Sequence, residues 1–284
     1  MKISLLMPTL GRVEEVKNLI NSLVQQSYKN FELVVVDQNE HDLLLKLVEQ
    51  FNKLDIKYIR SSKKGLSYNR NLGLRYCNGD IITLTDDDAE YPEFLLEKIN
   101  EEFKKNPEID ILTISTKEKE TNRTIHKSPN KDLIITNKNI FKTAISLTTF
   151  IKYKRITDIH FDEELGVGAK FGSGEESDML LSLLYKGYRG KYICNKDLLI
   201  YHPYKDEISN PERFYLYALG AGAVLKKEII IRKNNVYIYY FIKSLIKPLI
   251  GILINIFNPI KNKKYRNIFC GRLVGFINYK IKEE

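Results

Sequence analysis

The sequence predicts an α/β protein: a mostly parallel, doubly wound sheet followed by a C-terminal helical region. Three observations predict it. Short apolar runs alternate with helically spaced segments through about residue 115, the order that a parallel sheet with crossover helices requires. Several of these runs end on polar or charged residues, at the strand ends where open α/β sheets bind ligands. Beyond about residue 207 the alternation stops and the chain becomes apolar and basic.

The elements follow in order. Lys2 to Met7 reads as a buried strand, and Arg12 to Ser27 carries Val16, Leu19, Ile20 and Leu23 at helical spacing. Phe31 to Val36 is a second β-rich run, ending at Asp37. Leu43 to Phe51 reads as a helix, Ile56 to Ile59 as a short strand and Ser67 to Tyr76 as a helix, before the turn signal Asn78-Gly79. Ile81 to Thr85 is the next strand, and Pro92 is expected to open the helix after it, since proline suits a first helical turn. From Asp110 the order loosens. Residues 111–136 read as a strand, a polar loop (Lys117 to Lys131) and another strand. Gly174 to Lys186 is a helix with Met179, Leu180, Leu183 and Leu184 on one face. Leu198 to Tyr201 is strand-like, and Phe214 to Leu225 is helical. No internal repeat or low-complexity stretch interrupts the chain.

The length suits one large domain or one domain with an appendage. The expected division is a catalytic domain over 1–206, itself split into 1–115 and 116–206, and a C-terminal region over 207–284. Three widely spaced cysteines, Cys77, Cys194 and Cys270, match no metal-site pattern and fit a reducing, cytoplasmic setting. No signal peptide is read, because the first apolar run, Ile3 to Met7, is short and is followed by Pro8. The net charge is +9. Residues 225–284 hold 13 Lys and Arg against 3 Asp and Glu, so the rest of the chain sums to about −1. Basicity confined to an apolar tail argues against a nucleic-acid partner, whose binder would spread it over a folded face. It points to an anionic membrane surface instead.

Asp86-Asp87-Asp88 closes the strand Ile81 to Thr85. Like charges side by side repel, and a divalent cation with oxygen ligands relieves them. In a parallel sheet this triplet shares a rim with Pro8, Thr9 and Arg12, with Asp37, and with Arg70-Asn71. That set suits a nucleotide diphosphate: an acceptor for a base N–H at Asp37, and donors for carbonyls and phosphates at Arg70 and Arg12. Taken singly, Asp37 is an ordinary turn residue and Arg70 an ordinary surface ion pair. Their joint placement carries the functional reading.

MPTLGR, VVVDQNE, GLSYNRNLG and GDIITLTDDDAEYP together resemble the nucleotide-sugar half of the family-2 glycosyltransferases, which have the GT-A fold. The similarity continues through FDEELGVGAKFGSGEESDMLLSLLYKGY to IYHP and so covers roughly residues 1–205. It implies an inverting transferase that uses a nucleotide-diphosphate sugar, most often a UDP-sugar, with Mn²⁺ or Mg²⁺. By position, Thr9, Asp37 and Arg70 resemble the base-contacting set and Asp86 the ribose contact. Asp87 or Asp88 resembles the metal ligand; three aspartates stand where many relatives have an acidic pair, which leaves the register open. His202, in Tyr201-His202-Pro203, stands where relatives often place a histidine beside the metal or diphosphate. A neutral imidazole suits Mn²⁺ better than Mg²⁺.

In Gly172-Ser173-Gly174-Glu175-Glu176-Ser177-Asp178 the resemblance puts Glu176 at the general-base position, where relatives often carry aspartate. Asp178 is the second choice and Glu175 the third. Inversion needs such a carboxylate to take the acceptor hydroxyl's proton. Ser173 with Glu176 is also the spacing of a capping box, and acidic residues favour a first helical turn for that reason alone. Phe161-Asp162-Glu163-Glu164-Leu165-Gly166 resembles a stretch that shapes the acceptor side, with turn-forming acids as the plain alternative.

Val236 to Phe257 is long and apolar enough for a membrane span. Lys243, Lys247 and Pro248 disfavour one, a central lysine costing about 3 kcal/mol on insertion scales. Tyr240, Ser244, Lys247, Gly251, Asn255 and Asn258 form a more polar stripe. This fits a helix lying at a membrane interface, or one packed on the body. Lys261, Lys263, Lys264, Arg266 and Arg272 follow.

The expectation is a metal-dependent inverting glycosyltransferase, peripheral on the inner face of the cell membrane. It would move a sugar from a UDP-sugar to a hydroxyl of a lipid-linked saccharide in cell-surface polysaccharide synthesis. A homo-oligomer stays open. The alternatives are a metal-dependent sugar nucleotidyltransferase, for which Leu10-Gly11-Arg12 is a thin phosphate loop, and a non-catalytic basic binding protein.

Overall fold

The computed structural model describes residues 1–125, 128–156, 158–204 and 211–281. Its contacts divide into two units. The first holds residues 1–64, 68–160 and 179–204; the second holds 65–67, 161–178 and the C-terminal helices. The sequence-based boundary at 206/207 lies outside the described residues. Residues 161–178 group by contact with the C-terminal helices.

In the first unit the chain runs β1 (Ile3–Thr9), α1 (Val13–Val24), β2 (Phe31–Asp37), α2 (Leu43–Val48), β3 (Ile56–Arg60), α3 (Leu66–Leu74), β4 (Ile81–Leu84) and α4 (Leu95–Lys105). Then come β5 (Ile111–Thr113), β6 (Ser115–Lys117), β7 (Leu133–Ile135), α5 (Ile140–Thr143), β8 (Thr149–Lys152), α6 (Glu175–Tyr185), β9 (Gly190–Tyr192) and β10 (Leu199–Tyr201). By residue, α3 and α6 each begin in the second unit.

Eight strands form one sheet in the order β3-β2-β1-β4-β8-β5-β9-β7. The pairs β3/β2, β2/β1, β1/β4 and β5/β9 are parallel; β8 is antiparallel to both its neighbours, and β7 is antiparallel to β9. The mostly parallel sheet is therefore as expected. Among the described residues, 111–136 hold three short strands rather than two. One of them, β6, leaves the main sheet to pair with β10.

β1 and β2 are buried along their whole length, which is why both read as continuous apolar runs. Alternate residues serve opposite faces. Ile3, Leu5, Met7, Leu33 and Val35 share a core with Val16, Leu19, Ile20 and Leu23 of α1 and with Leu95, Leu96, Ile99 and Phe103 of α4. On the other face α3 lies so close that a Cβ on Gly73 would collide with Leu6 and Val36.

Pro92 does not open α4. The helix starts at Leu95, whose N–H bonds to the Pro92 carbonyl at 2.9 Å. Buried Gln26 holds this entry: its amide donates to the carbonyls of Tyr91 (3.0 Å) and Pro92 (2.9 Å) and accepts from the Leu96 N–H (3.2 Å). On α6 the buried apolar set is Met179, Leu180, Leu181 and Leu183, while Leu184 is only half-buried.

The second unit is built on α7 (Pro211–Lys226), a π-helical segment (Lys227–Ile231), α8 (Val236–Ile254) and α9 (Pro259–Asn278). α7 and α9 approach closely because glycines line both. A Cβ on Gly271 would sit 2.6 Å from the Tyr215 carbonyl oxygen, and one on Gly222 2.8 Å from the Phe276 nitrogen. α8 lies on α9 through Phe241 and Phe276, stacked at 4.1 Å, and through Gly251, which accepts the Tyr265 ring.

Candidate active site

In the order β3-β2-β1-β4 the chain passes from β1 to β2 on one side and returns to β4 on the other. Such a reversal opens a crevice beyond the strand ends. Pro8 helps to open it. The Leu6 carbonyl accepts the Thr85 N–H, and β4 pairs with β1 only as far as Leu6. Two residues on, the Pro8 nitrogen points to the same side, past the last β4 partner, where a missing N–H leaves no gap in the ladder. Thr9 and Arg12 stand on one lip and Asp86-Asp87-Asp88 on the other.

The three aspartates divide their work. Asp87 accepts from Thr9 Oγ1 at 2.7 Å and from Arg12 Nη1 at 2.7 Å. Asp88 also receives Arg12 Nη1, at 2.7 Å, and its other oxygen lies 3.0 Å from His202 Nε2. Asp86 approaches Arg70 at 3.9 Å. Burial raises the Asp86 pKa although 34 % of its side chain is exposed; Arg70 and His202 oppose the rise, and Asp88 and Asp87 add to it. Burial also raises Asp87, against Thr9 and Arg12.

His202 is carried here by β10. Glu90 and Tyr201 exchange backbone hydrogen bonds of 2.9 and 3.0 Å, which sets the next residue beside Asp88. The ring's Nδ1 lies 2.8 Å from the Pro203 carbonyl oxygen. A carbonyl only accepts, so Nδ1 carries a proton, and in the neutral ring Nε2 presents a lone pair to the Asp88 carboxylate. Two acceptors at that distance need a proton or a cation between them. Ligand atoms of Asp86, Asp88 and His202 all lie within 4.8 Å of one another. Two carboxylates and an imidazole fit Mn²⁺. The sequence reading put the metal on Asp87 and Asp88 with His202, and the ribose on Asp86. Here Asp86 joins the metal-competent group, while Asp87 faces Thr9 and Arg12, because successive residues after a strand end point different ways.

The subsite at the end of β2 is built on Asp37, which is wholly buried. Its Oδ1 accepts from Asn39 N (2.8 Å) and Nδ2 (2.7 Å), and its Oδ2 from the Tyr58 hydroxyl (2.6 Å). Asn39 Oδ1 in turn takes the Gly11 N–H at 2.7 Å, tying the β1 and β2 loops together. Burial and then the Asp37 hydrogen bond push the Tyr58 hydroxyl up to about 12. Arg60 Nε donates to the Tyr58 hydroxyl at 2.9 Å. On α3, Arg70 is 1 % exposed and donates to Ser146 Oγ at 2.6 Å; Asn71 beside it is half-buried.

In the second unit, Glu175, Glu176 and Asp178 occupy the first turn of α6. Glu175 is buried and Glu176 half-exposed. Asp178 is engaged on both oxygens: Lys227 Nζ lies 2.6 Å from Oδ2 and Arg232 Nη2 2.8 Å from Oδ1. Lys227 also reaches Asp162 at 2.9 Å, and Arg232 reaches Glu228 at 2.6 Å. Tyr279 donates to Asp162 as well. The Ser173 hydroxyl donates to the Tyr217 carbonyl of α7 at 2.9 Å.

Tyr58, Asn39, Ser146, Lys227 and Arg232 were missed in the sequence. Tyr58 and Asn39 carry a usable signal, one on the strand beside Asp37 and the other two residues beyond it. Ser146, Lys227 and Arg232 meet their partners only through tertiary packing.

Residues 4–169 match the profile of Glycosyl transferase family 2. The chain is 27% identical over 256 residues to a GalNAc(5)-diNAcBac-PP-undecaprenol beta-1,3-glucosyltransferase of Campylobacter jejuni, covering 83% of this chain and 78% of that protein. It is 29% identical over 177 residues to the poly(ribitol-phosphate) beta-N-acetylglucosaminyltransferase TarS of Staphylococcus aureus, covering 58% of this chain but only 30% of TarS. Among solved structures, S. aureus TarS 1–349 in complex with UDP-GlcNAc superposes with a TM-score of 0.61 at 19% identity, covering 96% of this chain and 90% of that one. A Pyrobaculum calidifontis mannosyltransferase in complex with GDP-Man and Mn²⁺ superposes at 0.64 with 13% identity, covering 98% and 88%. At such identities the superpositions speak for the fold, which is GT-A. With more than half of its length matched to the family, the chain belongs to glycosyl transferase family 2 and is a glycosyltransferase.

Proposed function

We propose that this enzyme transfers a sugar from a UDP-sugar to a hydroxyl of a lipid-linked saccharide, with inversion, at the inner face of the cell membrane. The observation that carries the donor half is the pairing of the Asp37 subsite with the Asp86–Asp88–His202 cluster along one sheet rim. Asp37, held by Asn39 and Tyr58, accepts the base N–H. Arg70, buried and anchored on Ser146, fixes the floor of the rim, and Thr9 with Arg12 orients Asp87. A divalent cation held by Asp86, Asp88 and His202 would offset the diphosphate charge and stabilise the departing UDP. The acceptor class is supported by the undecaprenol-linked substrate in the name of the C. jejuni relative.

The base we assign is Glu176. The resemblance marks its position, and Asp178 is committed to Lys227 and Arg232. Glu176 takes the acceptor proton as that oxygen attacks the anomeric carbon, and the electron pair of the broken C–O bond leaves with UDP. A donor screen scored by UDP release, with and without Mn²⁺, tests this. Turnover with a UDP-sugar that stops in EDTA is expected. Full turnover in EDTA would remove the metal, and release of pyrophosphate in place of UDP would favour a nucleotidyltransferase.

A further inference from the structure

α8 is built inside out. Tyr237, Pro248 and Gly251 are buried, and Ser244 and Asn255 are half-buried, so the smaller and more polar stripe faces the protein. The Arg272 guanidinium donates to the Ser244 carbonyl, and Asn262 donates to the Ile252 carbonyl at 2.9 Å. The apolar face points outward. It grows more exposed toward the elbow between α8 and α9: Leu253 is 72 % exposed, Ile254 75 % and Phe257 97 %. A contiguous exposed apolar surface of this kind marks an interaction site.

Charge names the partner. Residues 236–281 contain eight Lys and Arg and no Asp or Glu. Lys243 and Lys247, one turn apart and exposed, line one edge of the apolar face. At the elbow a groove of about 590 Å³ is lined by Ile256, Pro259, Asn262, Lys263 and Arg266, among others. Lys263 keeps only a 4.0 Å approach to Glu212. Apolar tip and basic groove stand side by side, the arrangement an anionic bilayer fits: acyl chains take the tip and phosphate headgroups take the cations. A transmembrane course is disfavoured, since one side of α8 is committed to α9 and Lys243 and Lys247 lie within the apolar length.

We propose that the α8–α9 elbow is a headgroup-binding membrane anchor, with Phe257, Ile254 and Ile256 entering the bilayer and Lys263 and Arg266 binding anionic lipid phosphate. This deepens the proposed function by naming the surface at which a lipid-linked acceptor is met. The test uses the full chain without donor or acceptor, so its failure is separate from failure of the chemistry.

The chain has no tryptophan, so Phe257→Trp reports without background. With vesicles of phosphatidylcholine and phosphatidylglycerol, its emission should shift to the blue and be quenched by brominated acyl chains. In sedimentation, the wild type should prefer these vesicles to phosphatidylcholine alone by about tenfold or more, a preference that salt erodes. Ile254→Glu with Phe257→Glu, both at exposed positions, should abolish binding to either vesicle. Lys263→Glu with Arg266→Glu should abolish only the preference. The proposal is overturned if the wild type stays in the supernatant with both vesicles, or if the tryptophan stays in water while the protein sediments. It is equally overturned if the tip variant only converts a dimer to a monomer.

Discussion

Lys227 and Asp178 form a buried ion pair, ammonium to carboxylate 2.6 Å, with both side chains less than a tenth exposed. One cation from the π-helical segment thereby holds the first turn of α6, the turn that carries Glu175 and Glu176. A buried pair of this kind is weak as a source of stability but severe when one member is removed. It separates two carboxylates that look alike in sequence. Asp178→Asn should lower the unfolding free energy by about 3 kcal/mol, while kcat per folded molecule stays near wild type. Glu176→Gln should leave the denaturation midpoint and UDP affinity unchanged and slow transfer by about a hundredfold or more. Unchanged transfer in Glu176→Gln would remove it as the base.

The metal assignment is tested by titration of Mn²⁺, with free ion read by electron paramagnetic resonance. Asp86→Asn, Asp88→Asn and His202→Gln should each weaken binding by about tenfold or more. Asp87→Asn should weaken it less, because its oxygens are spent on Thr9 and Arg12. If Asp87→Asn has the larger effect, the ligands are Asp87 and Asp88, as the sequence alone suggested.

The base subsite predicts graded losses in UDP affinity by calorimetry. Asp37→Ala removes a charged acceptor and should weaken UDP by about tenfold or more. Tyr58→Phe keeps the ring and removes one hydrogen bond to Asp37, for about fivefold. Equal affinity in both variants would place the base elsewhere.

Glu32 predicts an acid limb in stability. Burial pushes its carboxyl up, and hydrogen bonds from Lys2, Ser4, the Asn78 N–H and Lys57 outweigh that and hold it at about 2. A depressed pKa contributes stability that is present above the ordinary carboxylate range and lost as pH falls from there toward the folded value. The contribution is about 3 kcal/mol at neutral pH. Glu32→Gln should unfold more easily at pH 7 and show a flatter stability profile between about pH 4.5 and 2. A profile as steep as the wild type's would sink this account.

Truncation before Val236 tests how far the tail is an appendage. It removes Tyr279, which donates to Asp162 and packs edge-on to Phe171 at 5.3 Å. Limited proteolysis should then cut within 161–178. Full protection there would make the tail dispensable to the second unit.

The sequence by itself determined the strand and helix order through residue 105, because period-2 and period-3.6 apolar patterns are local and each strand end is marked by a polar residue. It also determined that Asp37 and the triplet share a rim, since parallel strands put their C-terminal ends together. Only the tertiary structure decided which aspartates pair with His202: side-chain direction after a strand end depends on backbone torsions and on the Glu90–Tyr201 bridge, a contact between distant segments. Tertiary packing alone also engages Asp178, because Lys227 and Arg232 reach α6 from a segment whose sequence shows no link to it. The same holds for α8. Its pattern distinguishes two faces, and whether the polar or the apolar one meets the protein is fixed by Gly251 of α8 and by the aromatic rings of Tyr265 and Phe276 on α9.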